Sequence, residues 1–377
     1  MLIAADARFL DSPEMPVYQA FTEKLLLQLA KDHPSDQFIF FVDKPVELLT
    51  TVVPTNVLRV AITPKPKNYW THKWWYDVRL PLALKKYKPA VFIGSYGLCS
   101  CNTSVSQILI VHDLAFRHKY AAHPHHSFLF YKKSTPICLK KAAAIVAVSQ
   151  SIKEELAIAY PISQKKITVC GSASDSGYTF LEWAGKEHTK EKYTQGCEYF
   201  LCRISDNTKS QFIHVLKAFA IFKKWQRSNM KLLLVVESML LIQPEKAKLE
   251  TYRFRNDVVL IEELSLVESQ SLIASAYASI HPVLYEGFST EILEAMLCGT
   301  PVMAYDTPSA KEMAGDSALY ISPTNAQQAA DQMKIIYKDE NLRNQLIKSG
   351  FEKTAHYSWQ KTEASIRKVI ESLRQKE

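Results

Sequence analysis

The sequence predicts an α/β protein built from two Rossmann-like domains in tandem. Short apolar runs alternate with segments whose apolar residues recur at helical spacing, and this alternation occurs twice along the chain. Runs that are apolar on both faces indicate strands of a parallel sheet covered by helices. The length of 377 residues agrees, since domains average about 150 residues. Each half is expected to bind a ligand at the carboxyl ends of its strands.

The first half of the chain, up to residue 172, alternates strands and helices. Its predicted strands are Leu2–Asp6, Gln37–Val42, Ala90–Ile93, Ile108–Val111, Ala144–Val148 and Ile167–Val169. Its predicted helices are Tyr18–Lys31, Leu80–Tyr87, Phe128–Lys141 and Gln150–Tyr160. Trp70, Trp74 and Trp75 are expected to pack in the core or beside an acceptor, with an aromatic platform for sugars as the alternative.

A polar segment from Gly171 to Gly196, which holds a charged helix, is the best candidate for a linker. The alternation then restarts, with predicted strands at Tyr199–Cys202, Lys231–Val236, Val258–Ile261, Ser279–Pro282 and Val302–Ala304. The predicted helices are Phe212–Trp225, Leu266–Tyr277, Thr290–Leu297, Ala326–Lys338 and Asn341–Lys353. A final helix, Trp359–Leu373, can pack against either half.

Composition and hydropathy indicate a globular chain, with 47% hydrophobic and 22% charged residues. No stretch approaches the roughly 18 consecutive apolar residues that a membrane-spanning helix needs. The amino terminus lacks the basic start and the apolar run of a signal peptide. Seven cysteines include no Cys-x-x-Cys pair and are expected to be reduced. The sequence therefore predicts a cytoplasmic protein.

The net charge of +8 is spread along the chain as pairs of lysines. Such pairs usually lie on solvated helix faces; the alternative is a surface attracted to acidic substrate or to anionic lipid, which implies peripheral contact with the inner face of a membrane. Nucleic acid is not an expected partner, because no long basic run or aromatic-interleaved stripe occurs. His123, His125 and His126 are interpreted as part of a loop rather than as metal ligands, because proline separates them.

The most informative segment runs from His281 to Val302 and reads His-Pro-Val-Leu-Tyr-Glu-Gly-Phe-Ser-Thr-Glu-Ile-Leu-Glu-Ala-Met-Leu-Cys-Gly-Thr-Pro-Val. It predicts a strand, a turn, and a helix capped by Ser289 or Thr290. The free N–H groups and the dipole of such a helix start suit a phosphate. Glu286 precedes the helix and Glu294 lies within it, so the two carboxylates are suited to different parts of an extended ligand.

This segment resembles the donor site of the family 4 (group 1) retaining glycosyltransferases, which have the GT-B fold. The opening strand before Arg8, the Val-His-Asp turn at His112 and the Ser-Trp pair before the last helix also resemble that family. The resemblance implies two Rossmann-like domains facing a cleft. Residues 1–172 would form the acceptor domain and 190–356 the nucleotide-sugar donor domain, with 357–377 crossing back to the first domain.

The resemblance also implies roles for individual residues. Glu294 would bind the ribose hydroxyls, and Glu286 would contact donor-sugar hydroxyls near the reacting carbon. The backbone over the diphosphate would be that of Gly287, Phe288 and Ser289. The alternatives are that Glu286 is a turn residue and Glu294 a solvated helix carboxylate.

Two cations and a histidine complete the implied site. Arg203 and Lys209 match the pair of cations that stabilises the leaving nucleoside diphosphate, and the alternative is that they are surface charges. His112 would contact a hydroxyl of the transferred sugar, and the alternative is a core histidine. The implied reaction moves a sugar from a UDP- or GDP-sugar to a glycan or lipid-linked acceptor with retention, without a cofactor or a metal, in polysaccharide or glycolipid assembly.

The chain departs from the family where close backbone approach to phosphate is wanted. The segment Asp11–Tyr18 replaces a glycine-rich turn and contains Glu14 and Pro16 but no glycine. Cys202 and Glu237 also stand where glycine is usual. A carboxylate near a diphosphate would repel it. The alternative function is therefore a catalytically degenerate GT-B protein that acts as a binding or assembly partner.

Overall fold

The chain forms two parallel β-sheets connected by helices, in a computed structural model that describes residues 1–12, 16–118, 125–174, 177–262 and 264–374. It divides into two compact units. Unit 1 contains the described residues up to Ser172 and those from Tyr357 onward, and unit 2 contains the described residues from Ala173 to His356. Within these ranges, no helix combines the length and the apolar character needed to span a bilayer.

Unit 1 contains a sheet in which all neighbouring strands are parallel. The strands are β1 (Leu2–Asp6), β2 (Gln37–Val42), β3 (Val57–Ala61), β4 (Val91–Gly94), β5 (Ser106–Val111), β6 (Ala144–Ala147) and β7 (Ile167–Val169). The helices between them are α1 (Pro16–Asp32), α2 (Tyr69–Trp74), α3 (Leu80–Tyr87), α4 (His125–Lys141) and α5 (Gln150–Ala159). The strand order is β3-β2-β1-β4-β5-β6-β7.

Unit 2 contains a second parallel sheet, with the order β10-β9-β8-β11-β12-β13. The strands are β8 (Tyr199–Ile204), β9 (Lys231–Val236), β10 (Val258–Glu262), β11 (Ala278–His281), β12 (Val302–Tyr305) and β13 (Ala318–Ile321). The helices are α6 (Trp183–Thr194), α7 (Phe212–Trp225), α8 (Lys246–Glu250), α9 (Leu266–Ser275), α10 (Thr290–Leu297), α11 (Pro308–Ala314), α12 (Ala326–Lys338) and α13 (Glu340–Thr354).

The two strand orders share one topology, which confirms the predicted pair of Rossmann-like α/β units. In each sheet the order reverses beside the first strand, between β1 and β4 in unit 1 and between β8 and β11 in unit 2. Ligands of such sheets bind beyond the carboxyl ends of the strands at this switch point. In unit 2, a ligand is therefore expected to bind at the residues that follow β8 and β11.

Several elements are absent from the sequence prediction, most clearly β3 and β13. Both lie at sheet edges, and no residue of β3 is fully buried, so its apolar pattern is weaker than that of a central strand. The prediction begins the second domain at residue 190, whereas unit 2 begins at Ala173. The charged helix of the predicted linker is α6, which packs on α9 and donates hydrogen bonds from Lys192 and Tyr193 to Glu268.

Some predictions fall where the structure gives no description. Glu14 and His123 lie outside the described residues, as do the side chains of Pro16, His125 and His126. The loop expected at His125 and His126 is wrong, because helix α4 begins at His125. The other statements made about these residues from sequence stay predictions.

The tryptophan-rich segment is one continuous helical stretch from α2 through a turn of π-helix, Trp75–Arg79, into α3. Trp75 packs in the core as predicted, and its Nε1 donates a hydrogen bond to the carbonyl oxygen of Ile62 at 2.9 Å. Trp70 and Trp74 are exposed, so they do not pack in the core. Their expected position beside an acceptor, and the alternative of an aromatic platform for sugars, stay predictions.

The last helix, α14 (Trp359–Arg374), belongs to unit 1, which confirms that the chain crosses back to its first domain. It packs against α1 and forms two polar contacts with the α1–β2 region. His33 Nε2 lies 2.9 Å from a carboxylate oxygen of Glu363, and Arg367 pairs with Asp36. Ile366 is fully buried on the packed side of the helix.

We expect Ile366→Ala to lower the free energy of unfolding of unit 1 by about 2–5 kcal/mol, because it leaves a cavity in a packed interior. Chemical denaturation followed by circular dichroism measures the change. Lys368→Ala, at an exposed position of the same helix, is the matched control and should stay within about 0.5 kcal/mol of the parent. Equal stability of the two variants would contradict the packed position of α14.

Candidate functional site

The conspicuous cluster of charged side chains in unit 2 lies at the switch point between β8 and β11. Arg203 is the penultimate residue of β8, and His281 is the last residue of β11. The loop after β11 leads into α10, whose N-cap position is Ser289. Gly299, with a φ of +68°, ends the segment after α10 in a conformation that favours glycine. The strand–turn–helix predicted for this motif is confirmed.

Glu286 is held in the loop by two hydrogen bonds to one oxygen. The hydroxyl of Ser289 donates to Glu286 Oε1 at 2.5 Å, and His281 Nε2 lies 2.7 Å from the same atom. Ser289 occupies the predicted cap position, but its side chain makes no capping hydrogen bond to the backbone. Its hydroxyl, which is fully buried, serves the carboxylate instead. Glu286 is thus fixed in orientation.

His281 lies between two carboxylates. Its Nδ1 is 3.2 Å from Glu291 Oε2, on the side opposite Glu286. Burial alone would lower the pKa of His281, but Glu286 and Glu291 raise it to about 10. Burial alone would raise the pKa of Glu291, but Arg203 and His281 lower it to about 2. The ring is therefore an imidazolium at neutral pH, and both of its nitrogens donate.

Arg203 connects this group to Glu294. Its Nη2 donates to Glu294 Oε2, and its Nε lies 4.0 Å from Glu291 Oε2. Burial raises the pKa of Glu294, and the positive charge of Arg203 partly offsets this rise. Burial lowers the pKa of Arg203, but the carboxylates of Glu294 and Glu291 raise it above its usual value. The hydroxyl of Ser174 also donates to Glu294, at 3.4 Å. Alternating charges run from Glu286 to Glu294 through His281, Glu291 and Arg203.

Lys209 lies in the turn after β8, at the same carboxyl end of the strands. The turn is built by Thr208, whose hydroxyl accepts from the Ser205 N–H at 2.8 Å and donates to the Arg203 carbonyl at 3.1 Å. The Lys209 ammonium pairs with Asp206 at 2.5 Å, and its side chain is 47% exposed. The roles predicted for Lys209, and for the backbone of the loop containing Gly287 and Phe288, stay predictions.

His112 belongs to unit 1, directly after β5. Its Nε2 donates to the Ser95 carbonyl at 2.9 Å, and its ring meets Phe21 edge-to-face with centroids 4.4 Å apart. Burial lowers the pKa of His112 to about 4, although Asp113 and the Ser95 carbonyl act in the opposite direction. The ring is neutral at pH 7. Its proposed contact with a sugar hydroxyl stays a prediction.

Sequence reasoning missed the roles of His281 and Glu291. A histidine that ends an otherwise uncharged strand, ten residues before a glutamate, was the available signal. Proximity in three dimensions, rather than this spacing, is what pairs the two side chains.

We expect the stability of the protein to fall between about pH 7 and pH 10. A histidine has an unfolded pKa near 6.5, and the pKa of His281 in the fold is about 10. Its stabilising contribution is therefore complete below pH 6.5 and is lost as the pH rises through 10. Thermal midpoints recorded across this range for the parent and His281→Gln should show a shallower decline in the variant. His356→Gln, at an exposed histidine of unit 2, should decline like the parent. Parallel curves for the parent and His281→Gln would contradict the protonated bridge.

Comparison with known sequences gives two family matches, one in each half. The family described as "Glycosyltransferase Family 4" matches residues 24–173, and the family "Glycosyl transferases group 1" matches residues 198–353. Among characterised relatives, the chain is similar to the O-antigen chain mannosyltransferase RfbU of Salmonella typhimurium. The two are 23% identical over 280 residues, which cover 72% of this chain and 71% of RfbU.

Solved structures with the same fold include a glycosyltransferase and a protein in complex with UDP and glucose. The glycosyltransferase of Rickettsia africae matches with a TM-score of 0.75 at 16% identity, over 100% of this chain and 99% of its own. HepE of Anabaena, solved in complex with UDP and glucose, matches with a TM-score of 0.73 at 13% identity, over 98% of this chain and 99% of its own. With a family match in each half and the fold shared along the whole length, the chain belongs to the group 1 glycosyltransferases of the GT-B fold.

Proposed function

We propose that this glycosyltransferase binds the nucleotide-diphosphate of its donor sugar at the β8–β11 switch point of unit 2. The proposed reaction transfers the sugar to a glycan or lipid-linked acceptor with retention of configuration. The observation that carries the proposal is the chain of charges in which Glu286 and Glu294 are both anchored, one in the loop and one on α10. Mannose is the first sugar to test, because RfbU is named a mannosyltransferase.

Glu294 is suited to the ribose. Its carboxylate is almost fully buried and contacts Arg203 and Ser174. Two adjacent ribose hydroxyls can donate to the two oxygens of one carboxylate, and such charge-assisted hydrogen bonds are stronger than neutral ones. Arg203 favours the ionised form that accepts these bonds, against the burial that disfavours it.

Arg203 and Lys209 are suited to the diphosphate. When the bond between sugar and phosphate breaks, the departing nucleoside diphosphate gains negative charge, and fixed cations stabilise that charge in the transition state. Arg203 lies beside the carboxylate proposed to bind the ribose, and Lys209 follows six residues later, in the turn after β8. The exposed pair that Lys209 forms with Asp206 is weak, so the ammonium can exchange it for phosphate at little cost.

Glu286 is suited to the sugar itself. Ser289 and the imidazolium of His281 both donate to Oε1, so Oε2 can accept hydroxyls of the donor sugar. A carboxylate beside the reacting carbon also favours the positive charge that develops on the sugar ring as the leaving group departs.

The test is titration calorimetry of the full chain with GDP and UDP, followed by reactions with GDP-mannose and UDP-glucose. We expect one of the two nucleotides to bind and the matching sugar nucleotide to be consumed, with the product followed by mass spectrometry on a glycolipid extract as acceptor. Absence of binding by either nucleotide would contradict the proposal. Binding without turnover on any acceptor would instead favour the degenerate binding protein that the missing glycines suggest.

A further inference from the structure

We propose that unit 1 binds an anionic lipid surface through one face of the helical stretch from α2 to α3. This surface, the α2–α3 face, consists of the exposed apolar residues Trp70, Trp74, Val78 and Leu82 and the cations between Lys65 and Lys88. The proposal goes beyond the transfer reaction and does not depend on it, because none of these residues belongs to the site in unit 2.

The apolar part is a stripe along one helical stretch. Trp70 is 72% exposed, Trp74 40%, Val78 43% and Leu82 59%. Residues four apart lie on one side of a helix. In a continuous α-helix, each residue four positions further along is displaced by a small angle around the helix axis. The π-helical turn Trp75–Arg79 has an extra residue in one turn, which offsets this displacement. Core residues of the same stretch, Trp75 among them, point the other way, so the exposed stripe is not needed for folding.

The charged residues of this surface are almost all positive. Between Lys65 and Lys88 the chain has seven lysines and arginines, all exposed, against one carboxylate, Asp77, which pairs with Lys73 at 2.6 Å. A solvated helix that serves only solubility usually mixes both signs. Tryptophan and leucine on one face with cations around them are the pattern of a helix that lies in a membrane interface.

Helix α4 extends the same surface. It packs on α2, with the ring of Phe130 5.9 Å from that of Tyr69 and 5.1 Å from that of His72. Leu129 and Ile137 of α4 are 55% and 56% exposed. Four exposed lysines lie beside them, and residues 128–141 contain no carboxylate. Residues 65–88 and 128–141 together contain eleven lysines and arginines and one carboxylate, Asp77, which suits a plane of anionic headgroups better than a single acidic peptide.

Co-sedimentation of the full chain with phosphatidylcholine vesicles, with and without phosphatidylglycerol, tests the proposal. We expect binding only when phosphatidylglycerol is present, and weaker binding as salt is added. The double variant Trp70→Ser/Trp74→Ser should lower the partition coefficient at least about tenfold. The double variant Lys85→Glu/Lys86→Glu should lower it by a similar factor.

Matched controls lie in unit 2. Trp183→Ser removes another exposed tryptophan, and Lys217→Glu/Lys224→Glu reverses two exposed charges of α7, so both should bind vesicles within about twofold of the parent. The face variants should keep the thermal midpoint of the parent. The proposal is overturned by equal binding to pure phosphatidylcholine, by equal losses in the controls, or by no vesicle binding. Recognition of a protein by this face without vesicle binding also overturns it.

Discussion

Glu286→Gln should reduce the turnover number at saturating donor by at least about a hundredfold while the protein stays folded. The substitution preserves size and removes the charge proposed to face the reacting sugar, and the loss of one well-placed electrostatic group costs roughly 10²–10³ in rate. Because Glu286 is proposed to contact the sugar and not the nucleotide, binding of GDP or UDP should change little. Steady-state kinetics and nucleotide calorimetry on the same preparation measure both quantities.

The control for this experiment is Glu291→Gln. Glu291 contacts the same imidazolium from the other side, at Nδ1 rather than Nε2, and is not proposed to touch the sugar. Both variants remove one carboxylate from His281, so both weaken its positive charge. If the two variants lose activity equally, the effect comes from the ionisation of His281, and the direct role of Glu286 is wrong. A loss confined to Glu286→Gln supports contact with the sugar.

The strand, turn and helix that carry Glu286 and Glu294 were predictable because their signals are local in sequence. The spacing of Glu286 and Glu294 around a helix start specified the loop and the helix that carry them, and the structure has both. The partners of these carboxylates were not predictable in the same way. Arg203 is 91 residues from Glu294, and many other cations of the chain were equally available from composition.

The hydrophobic pattern of the sequence predicted the central strands of the sheets better than the edge strands. The central strand β4, Val-Phe-Ile-Gly, is buried at every residue and has no polar side chain. The edge strand β3 has no fully buried residue and contains Arg59, so its hydrophobic pattern is weaker. Trp70 is an apolar residue that is exposed, which the hydrophobic pattern does not predict. A large aromatic residue is usually packed, and only its position on the outer side of α2 distinguishes it from Trp75.

Arg203→Met should destabilise unit 2 by about 3 kcal/mol and weaken nucleotide binding at least about tenfold. Removal of one partner from a buried ion pair leaves the other charge uncompensated, which costs about 3–5 kcal/mol when the pair is fully buried. Here the Arg203 side chain is 22% exposed, so the lower end of that range applies. Denaturation without ligand gives the stability change, and calorimetry gives the affinity.

The double variant Arg203→Met/Glu294→Gln separates the structural role of Arg203 from its proposed contact with phosphate. Since Glu294→Gln removes the stranded negative charge, the double variant should regain part of the lost stability. Nucleotide affinity should not recover, because both proposed ligand contacts are gone. Lys209→Met is the complementary case: its pair with Asp206 is exposed, so stability should change by less than about 0.5 kcal/mol while affinity falls. If affinity returned together with stability in the double variant, Arg203 would serve only to neutralise Glu294, and the diphosphate would have to be bound elsewhere.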